Sequence, residues 1–332
     1  MEKTVLVIGA TGGIGGFAAR ALLAKGWRVR AMHRSPEAVA RRPGHAGIEW
    51  VKGDAMNRDD VVAAAQGMAA IFHGANPPGY RNWSGLVRQM LANTIEAARI
   101  VDARILFPGT VYNYGPDAGA VVTEDALQHP LTRKGKMRVE MEEMLRAGAS
   151  YGVRSVIVRA GDFIGGAGNN SWFNAAMVKP GKRVRGIVYP GTRGVGHNFA
   201  YLPDLADTFA RLAERDAELP AFATFHFEGH WLDKGEAIAD AVRHAVGDET
   251  LPLRRFPWFA IYALSPFVET FREMVEMRYL WRKPLKLDNA KLVAFLGGEP
   301  RTDFNEAIRA TLAGLGCLDE MRPSSGLVAT AA

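Results

Sequence analysis

The stretch TVLVIGATGGIGGFAARALLAKG, Thr4 to Gly26, sets a run of β-branched and apolar residues, a glycine-rich turn and a helix-spaced segment back to back. Few folds accept that order. Gly9 permits the tight turn, Gly12 lets a backbone approach a pyrophosphate, and Gly15 allows a helix to pack closely on the strand. Thr11, Gly13 and Ile14 complete the loop, and the amides and positive dipole end of the following helix attract an anion. Placed between a strand and a helix of these lengths, the pattern points to a dinucleotide.

The same alternation continues. Short β-rich runs at Trp27–Met32, Ile48–Val51, Ala70–Gly74, Arg104–Gly109 and Arg154–Ala160 are separated by stretches with helical apolar spacing, such as NWSGLVRQMLANTIEAARIVDA. Parallel strands with crossover helices follow: an α/β, Rossmann-type doubly wound parallel sheet. After about residue 165 the rhythm breaks, and residues 166–322 are expected to form a smaller, interleaved C-terminal substrate region. Parts of residues 195–230 return to the first domain, 1–165, because NFAYLPDLADTFARLAE reads as a helix capped at Asp204 and TFHFEG, Thr224–Gly229, as a further strand. A flexible tail is expected at 323–332.

Several function classes are disfavoured by what the chain lacks. The net charge of +6 is scattered and comes with no zinc-finger spacing or RNP-like stretch, so no nucleic-acid partner is expected. Cys317 is the only cysteine, which excludes an intrachain disulfide and fits a cytoplasmic setting. The first residues turn straight into the glycine loop, unlike a signal peptide. FPWFAIYALSPFVETF is cut by Pro266, so neither a membrane span nor a membrane partner is expected. With no HExxH, no paired-carboxylate spacing and no nucleophile elbow, no metal and no covalent intermediate are expected.

At the end of the second strand, where an acidic residue would bind the ribose 2′-OH, the chain reads AMHRSPE, with no carboxylate before Glu37. Arg34 suits a 2′-phosphate, which favours NADP(H) over NAD(H).

These residues resemble the extended and atypical short-chain dehydrogenase/reductase superfamily, in its epimerase/dehydratase-like branch. The resemblance rests on GATGGIG, KGDAMN, HGANPP, FPGTVYNYG, VIVRAGDFIGG and NFAYLPDLADTFARLAE, and covers roughly residues 1–215. It implies cofactor contacts from Asp54 and Ala55, from Gly74, Ala75 and Asn76, and from Ala160 and Gly161. It also implies a homodimer, through helices around 83–100 and 134–148. In that family a Ser/Thr hydroxyl polarises the substrate oxygen, a Tyr moves the proton, and a Lys four residues later holds the nicotinamide ribose. Thr110 falls on the Ser/Thr position and Lys136 on the Lys position, where it either bonds the ribose or pairs with Glu140. Where the Tyr should stand, this chain has Thr132.

A threonine hydroxyl is too weak an acid to replace a phenol of pKa about 10, so another group gives the proton or none is given. Tyr112 is either the donor or a pocket wall. Tyr114 matches a commonly structural tyrosine, and His129 is a loop histidine beside a proline. Arg133 and Lys134 read as a solvated helix start, with Met137, Met141, Met144 and Leu145 as the buried stripe of the same helix. Aromatic residues concentrated after residue 165 (Trp172, Phe173, Trp231, Phe256, Trp258, Trp281) are divided between core and an apolar pocket. The leading expectation is an NADPH-dependent reductase of a carbonyl or activated double bond in a small apolar or aromatic molecule. A nucleotide-sugar epimerase or dehydratase and a non-catalytic NADP-binding sensor are the alternatives.

Overall fold

A computed structural model describes residues 3–77, 83–166 and 171–318; the expected tail at 323–332 lies outside them. The first half alternates as its pattern requires. β1 (Thr4–Ile8), α1 (Gly13–Ala24), β2 (Arg28–His33), β3 (Ile48–Lys52), α2 (Arg58–Ala65), β4 (Ala70–His73), α3 (Trp83–Val101) and β5 (Arg104–Thr110) follow one another. Then come β6 (Val121–Val122), α4 (Arg133–Gly148), β7 (Arg154–Ala160), β8 (Asp162–Ile164), β9 (Ile187–Tyr189), β10 (His197–Tyr201), α5 (Leu202–Glu214), β11 (Phe222–Phe227) and β12 (His230–Leu232). The chain closes with α6 (Ile238–Val246), β13 (Leu253–Arg255), α7 (Trp258–Leu264), α8 (Glu269–Met277), β14 (Lys286–Leu287), α9 (Ala290–Leu296) and α10 (Phe304–Gly314).

Seven strands form one parallel sheet in the order β11-β7-β5-β4-β1-β2-β3. The order reverses between β1 and β4, so the loops leaving these strands diverge and open a crevice at the carboxyl edge. Strands β1, β4 and most of β5 and β7 are buried on both faces, which explains their near-continuous apolar character. On one face α1 and α5 pack through Ala18, Leu22, Leu205 and Phe209; on the other, α2, α3 and α4 pack through Val61, Leu91, Ile95, Met141 and Leu145. Each fully buried Leu, Ile or Phe contributes roughly 1.5–3 kcal/mol.

The last third is tied to this sheet rather than appended to it. Strands β8, β10 and β12 form a small sheet just beyond the end of β7, and β11 completes the large one. A second core gathers Phe173, Ile187, Tyr189, Phe199, Trp281 and the apolar faces of α6 and α10. Asp204 is not the cap of α5. The helix starts at Leu202 with Pro203 in its first turn, and the Asp204 carboxylate accepts from the Thr302 amide and hydroxyl, both at 2.7 Å, binding the α9–α10 connection to α5. No helix among the described residues is long and apolar enough to cross a membrane.

Between sheet and α4 lies a buried charge network. The Arg159 guanidinium on β7 donates to Glu142 on α4 through Nε at 3.1 Å and Nη2 at 2.7 Å, and through Nη1 to the Tyr114 hydroxyl at 2.6 Å and the Glu124 carbonyl at 3.2 Å. Tyr114 in turn lies 2.7 Å from His226 Nε2 on β11, while the His226 amide donates to the Glu124 carboxylate. Burial and then Arg159 push the His226 pKa down to about 3. On the same side of the sheet, burial and then Arg138 push His73 down to about 3.

Removing one partner of such a pair leaves an uncompensated buried charge. Glu142→Ala is therefore expected to cost about 3–5 kcal/mol in chemical denaturation, against less than about 1 kcal/mol for exposed Glu143→Ala. The two histidines also give stability a pH dependence. Their folded pKa lies below the unfolded value near 6.5, so the stability of the neutral rings is complete above that value and is lost as pH falls towards 3. Each adds a slope of up to roughly 1.4 kcal/mol per pH unit. Denaturation midpoints measured between pH 7.5 and 4.5 should fall with acidity, and His226→Gln should remove about half of that slope.

Candidate active site

Along the carboxyl edge of the sheet the loop after β1 opens with Gly9 at φ +90°, a backbone state that favours glycine. A Cβ on Gly9 would lie 2.5 Å from the Gly74 carbonyl oxygen after β4, and one on Gly15 would lie 2.3 Å from the Gly9 carbonyl oxygen. Glycine at these two positions is what lets β1, β4 and α1 converge. The N-cap of α1 is Gly12, which offers no side-chain hydrogen bond, so the amides of the first turn are left to face the crevice with the helix dipole behind them. Thr11, Gly12 and Gly13 are exposed, and Ile14 is half-buried. An uncapped twelve-residue helix at the switch point of a parallel sheet fits the pyrophosphate of a dinucleotide.

The other residues expected to hold a cofactor follow neighbouring strands of the same edge. Arg34 after β2 is exposed, and no hydrogen bond or ion pair engages it among the described residues. Asp54 after β3 accepts from the Met56 amide at 3.0 Å, and Ala55 is fixed through its carbonyl by Asn93 of α3 at 2.9 Å. Gly74, Ala75 and Asn76 leave β4, while Ala160 ends β7, in register with Thr110 at the end of β5, and is followed by Gly161.

Beyond Thr110 the chain makes a turn, Val111–Asn113, in which the Thr110 hydroxyl accepts from the Tyr112 amide at 3.3 Å. This turn packs on the start of α4: a Cβ on Gly135 would lie 2.3 Å from the Tyr112 carbonyl oxygen. Here the structure departs from the sequence reading. Thr132, at the position of the family's tyrosine, is not in the helix: α4 begins at Arg133 and Thr132 is its N-cap, buried and accepting from the Gly135 amide at 2.9 Å. Lys136 is exposed, on the side of α4 opposite Met137, Met141, Glu142 and Leu145. Glu140 pairs not with Lys136 but with Arg88 of α3. Nor are Arg133 and Lys134 merely solvated: both pair with the buried Glu273, at 2.8 and 3.3 Å, clamping the start of α4 to α8.

The cation that α4 turns inward is Arg138. It is half-buried, one turn before Glu142 on the same face, and burial lowers its pKa from the usual arginine value while Tyr112 and Glu142 favour its charge. Its field also reaches His73, whose Nδ1 lies 2.8 Å from the Thr94 hydroxyl and whose buried Nε2 has no hydrogen-bond partner. Tyr114 is fully buried in the Arg159 network, and burial raises its pKa. His129 sits outside, exposed and 3.0 Å from Asp117.

Next to the Thr110 turn is a small cleft open to solvent, lined by Val111, Gly161, Asp162, His197, Asn198, Leu280 and Leu285. Its one ion pair joins His197 Nε2 on β10 to Asp162 on β8 at 2.7 Å. The His197 ring stacks on Trp281, with centroids 3.8 Å apart and planes 13° apart. Trp281 and Phe173 belong to the core, while Trp172, half-buried, meets Trp281, Trp258 and Phe256 with ring centroids 5.5 to 6.0 Å away. Asp162 and His197 carry no local signal as a pair, since 35 positions separate them. Arg138 had one, its i,i+4 spacing to Glu142.

Comparison with known proteins fits this geometry. A family model described as the NAD dependent epimerase/dehydratase family matches residues 5–225. The NmrA-like family domain-containing oxidoreductase notA of Aspergillus sp. (strain MF297-2) is 42% identical over 77 residues, 23% of this chain and 23% of that protein. The sterol demethylase protein B of Methylococcus capsulatus is 42% identical over 72 residues, 22% of each. These matches thus span about a quarter of the curated relatives' length. Among solved structures, UDP-glucose 4-epimerase from Brucella ovis in complex with NAD superposes with a TM-score of 0.74 at 18% identity, over 95% of this chain and 98% of that one. At that identity the likeness is one of fold.

Three substitutions separate the roles on α4. If Arg138 and not Lys136 meets a bound dinucleotide, Lys136→Ala leaves NAD(P)H affinity within about twofold and Arg138→Met weakens it tenfold or more, since a hydrogen bond to a charged group is worth roughly 1.5–3 kcal/mol. Thr132→Ala should cost about 1 kcal/mol of stability with affinity unchanged. Fluorescence titration of NADPH and chemical denaturation read these out.

Proposed function

As the chain belongs to the NAD dependent epimerase/dehydratase family, we propose that it is an NADPH-dependent oxidoreductase that reduces a carbonyl or activated double bond of a small apolar or aromatic molecule. The observation that carries this is the lining of the pocket. Val111, Leu280 and Leu285 supply an apolar wall, the polar groups are Asp162, His197 and Asn198, and no Lys or Arg is among the described lining residues. A nucleotide sugar brings a diphosphate that calls for cations, and here it would meet the Asp162 carboxylate. The names of the two curated relatives, an oxidoreductase and a sterol demethylase protein, favour redox chemistry on an apolar molecule.

In this reading the first-turn amides of α1 take the pyrophosphate, Arg34 the 2′-phosphate, Asp54 the adenosine half, and Arg138 the nicotinamide ribose in place of Lys136. The bound dinucleotide supplies the hydride. The Thr110 hydroxyl and the Tyr112 phenol bind the substrate oxygen at the end of β5, with the Arg138 cation beside them stabilising negative charge as it develops there. Leu280, Leu285 and the aromatic group around Trp172 keep water from the reacting carbon.

NADPH consumption across a panel of aldehydes, ketones and enones tests this. Turnover of an apolar member is expected, with Arg34→Ala raising the Kd for NADPH at least tenfold and that for NADH less than twofold. Tight NADPH binding without turnover of any panel member overturns the reductase, and stabilisation by a UDP-sugar instead supports the epimerase alternative.

A further inference from the structure

The family's tyrosine is missing at Thr132, and the Thr132 hydroxyl is engaged as a helix cap. If a carbonyl is reduced here, a proton must still reach its oxygen. We propose that His197, oriented by Asp162, is the acid that delivers it, a role that rests on the reductase reading above.

Position is the first argument. Asp162 and His197 line the same pocket as Val111 and Gly161, the residues directly beyond Thr110 and Ala160 at the ends of β5 and β7. Parallel pairing of β8 with β10 fixes the pair: Asp162 stands opposite Phe199, and His197, two residues earlier, reaches it with Nε2 at 2.7 Å. Orientation is the second. A carboxylate accepting from Nε2–H holds the ring in one tautomer, while the Trp281 face 3.8 Å away prevents the ring from turning. The other nitrogen, Nδ1, has no hydrogen-bond partner among the described residues. Both side chains are about nine-tenths buried, 8% and 10% exposed, so a charge-assisted bond made here is little screened by water.

The strand beside the pair is held closely as well. Asn198, next in sequence and 4% exposed, spends its amide nitrogen on the Glu228 carbonyl, and its Oδ1 is buried without a partner. That oxygen faces Gly161, where a Cβ would lie 2.3 Å from it. Glycine at 161 therefore lets the buried Asn198 side chain pack directly against the backbone between Ala160 and Asp162.

The step balances. The carbonyl carbon gains a hydride from a reduced nicotinamide dinucleotide, the C=O π bond breaks, and its electron pair on oxygen takes the proton from His197 Nδ1. The products are the alcohol and the oxidised dinucleotide, and the imidazole regains its proton from solvent through the pocket mouth. The titratable groups packed around His197 are Asp162, together with Tyr189 and Glu236. The Tyr189 hydroxyl and the His197 Cβ would lie 2.1 and 2.7 Å from a Cβ on Gly235, and burial raises the Tyr189 pKa, with Glu236 and Asp162 adding to it.

The test uses the full chain with NADPH and the best carbonyl substrate of the panel, together with NMR titration of the imidazoles in the protein alone. An acid must be protonated to act, so kcat should fall as pH rises through one midpoint, and the His197 signals should titrate with that midpoint. Asp162→Asn removes the carboxylate beside the ring and should move limb and NMR midpoint together to lower pH. His197→Gln should lower kcat 100-fold or more with KM within threefold and NADPH affinity unchanged, and should abolish the limb. Should His197→Gln fail to fold, the joint shift in Asp162→Asn decides alone. Turnover that survives His197→Gln with its pH profile intact, or a limb that Asp162→Asn leaves in place, overturns the proposal while the reductase stands. Absence of turnover in the unmodified protein overturns both.

Discussion

Two charges buried between a sheet and a helix must satisfy each other in place, and Arg159 and Glu142 do so where β7 meets α4. The guanidinium cannot shed its charge, and its remaining N–H groups are taken by the Tyr114 hydroxyl and the Glu124 carbonyl. The rotation of α4 about its own axis is thereby fixed. A helix turned by the two positions that separate Lys136 from Arg138 would carry Glu142 out of reach of Arg159. Which α4 side chains turn inward is thus decided by a pair on the far side of β5.

From that constraint the site follows. Arg138 is turned inward because it lies one turn before Glu142, and Lys136 is turned to solvent for the same reason. Thr132 ends outside the helix, where its hydroxyl closes the first turn. With the helix seated by Glu142 at one point and by the Arg133 and Lys134 pairs to Glu273 at another, the Thr110 turn is pressed on Gly135 from one side. On the other, Tyr279 holds it by donating to the Tyr114 carbonyl at 2.7 Å. The C-terminal region completes the arrangement by bringing His197, Trp281, Leu280 and Leu285 over the end of β7.

The sheet and the glycine loop were legible because their signals are local. Alternation of short apolar runs with helical spacing needs no knowledge of partners, and Gly9, Gly12 and Gly15 announce a turn that few other sequences make. The orientation of α4 was not legible in the same way. Lys136 and Arg138 are both basic, and aligning TRKGKMRVEM on a family spacing selects the first, while the residue that selects the second, Arg159, lies 17 positions beyond Glu142. Asp204 misled for a similar reason: an aspartate at a helix start reads as a cap, but its acceptors were claimed by Thr302, 98 residues later. Asp162 and His197 meet only through the pairing of β8 with β10, two short strands that local pattern scarcely marks.

On the function proposed above, buried pairing, and not the family spacing, decides which α4 cation serves the cofactor. A crystal structure of the protein with NADPH bound tests it most directly. The Arg138 guanidinium is expected within about 3 Å of the nicotinamide ribose hydroxyls, with Glu142 still on Arg159 and Lys136 in solvent. A structure with the Lys136 ammonium on the ribose and Arg138 turned away would contradict it.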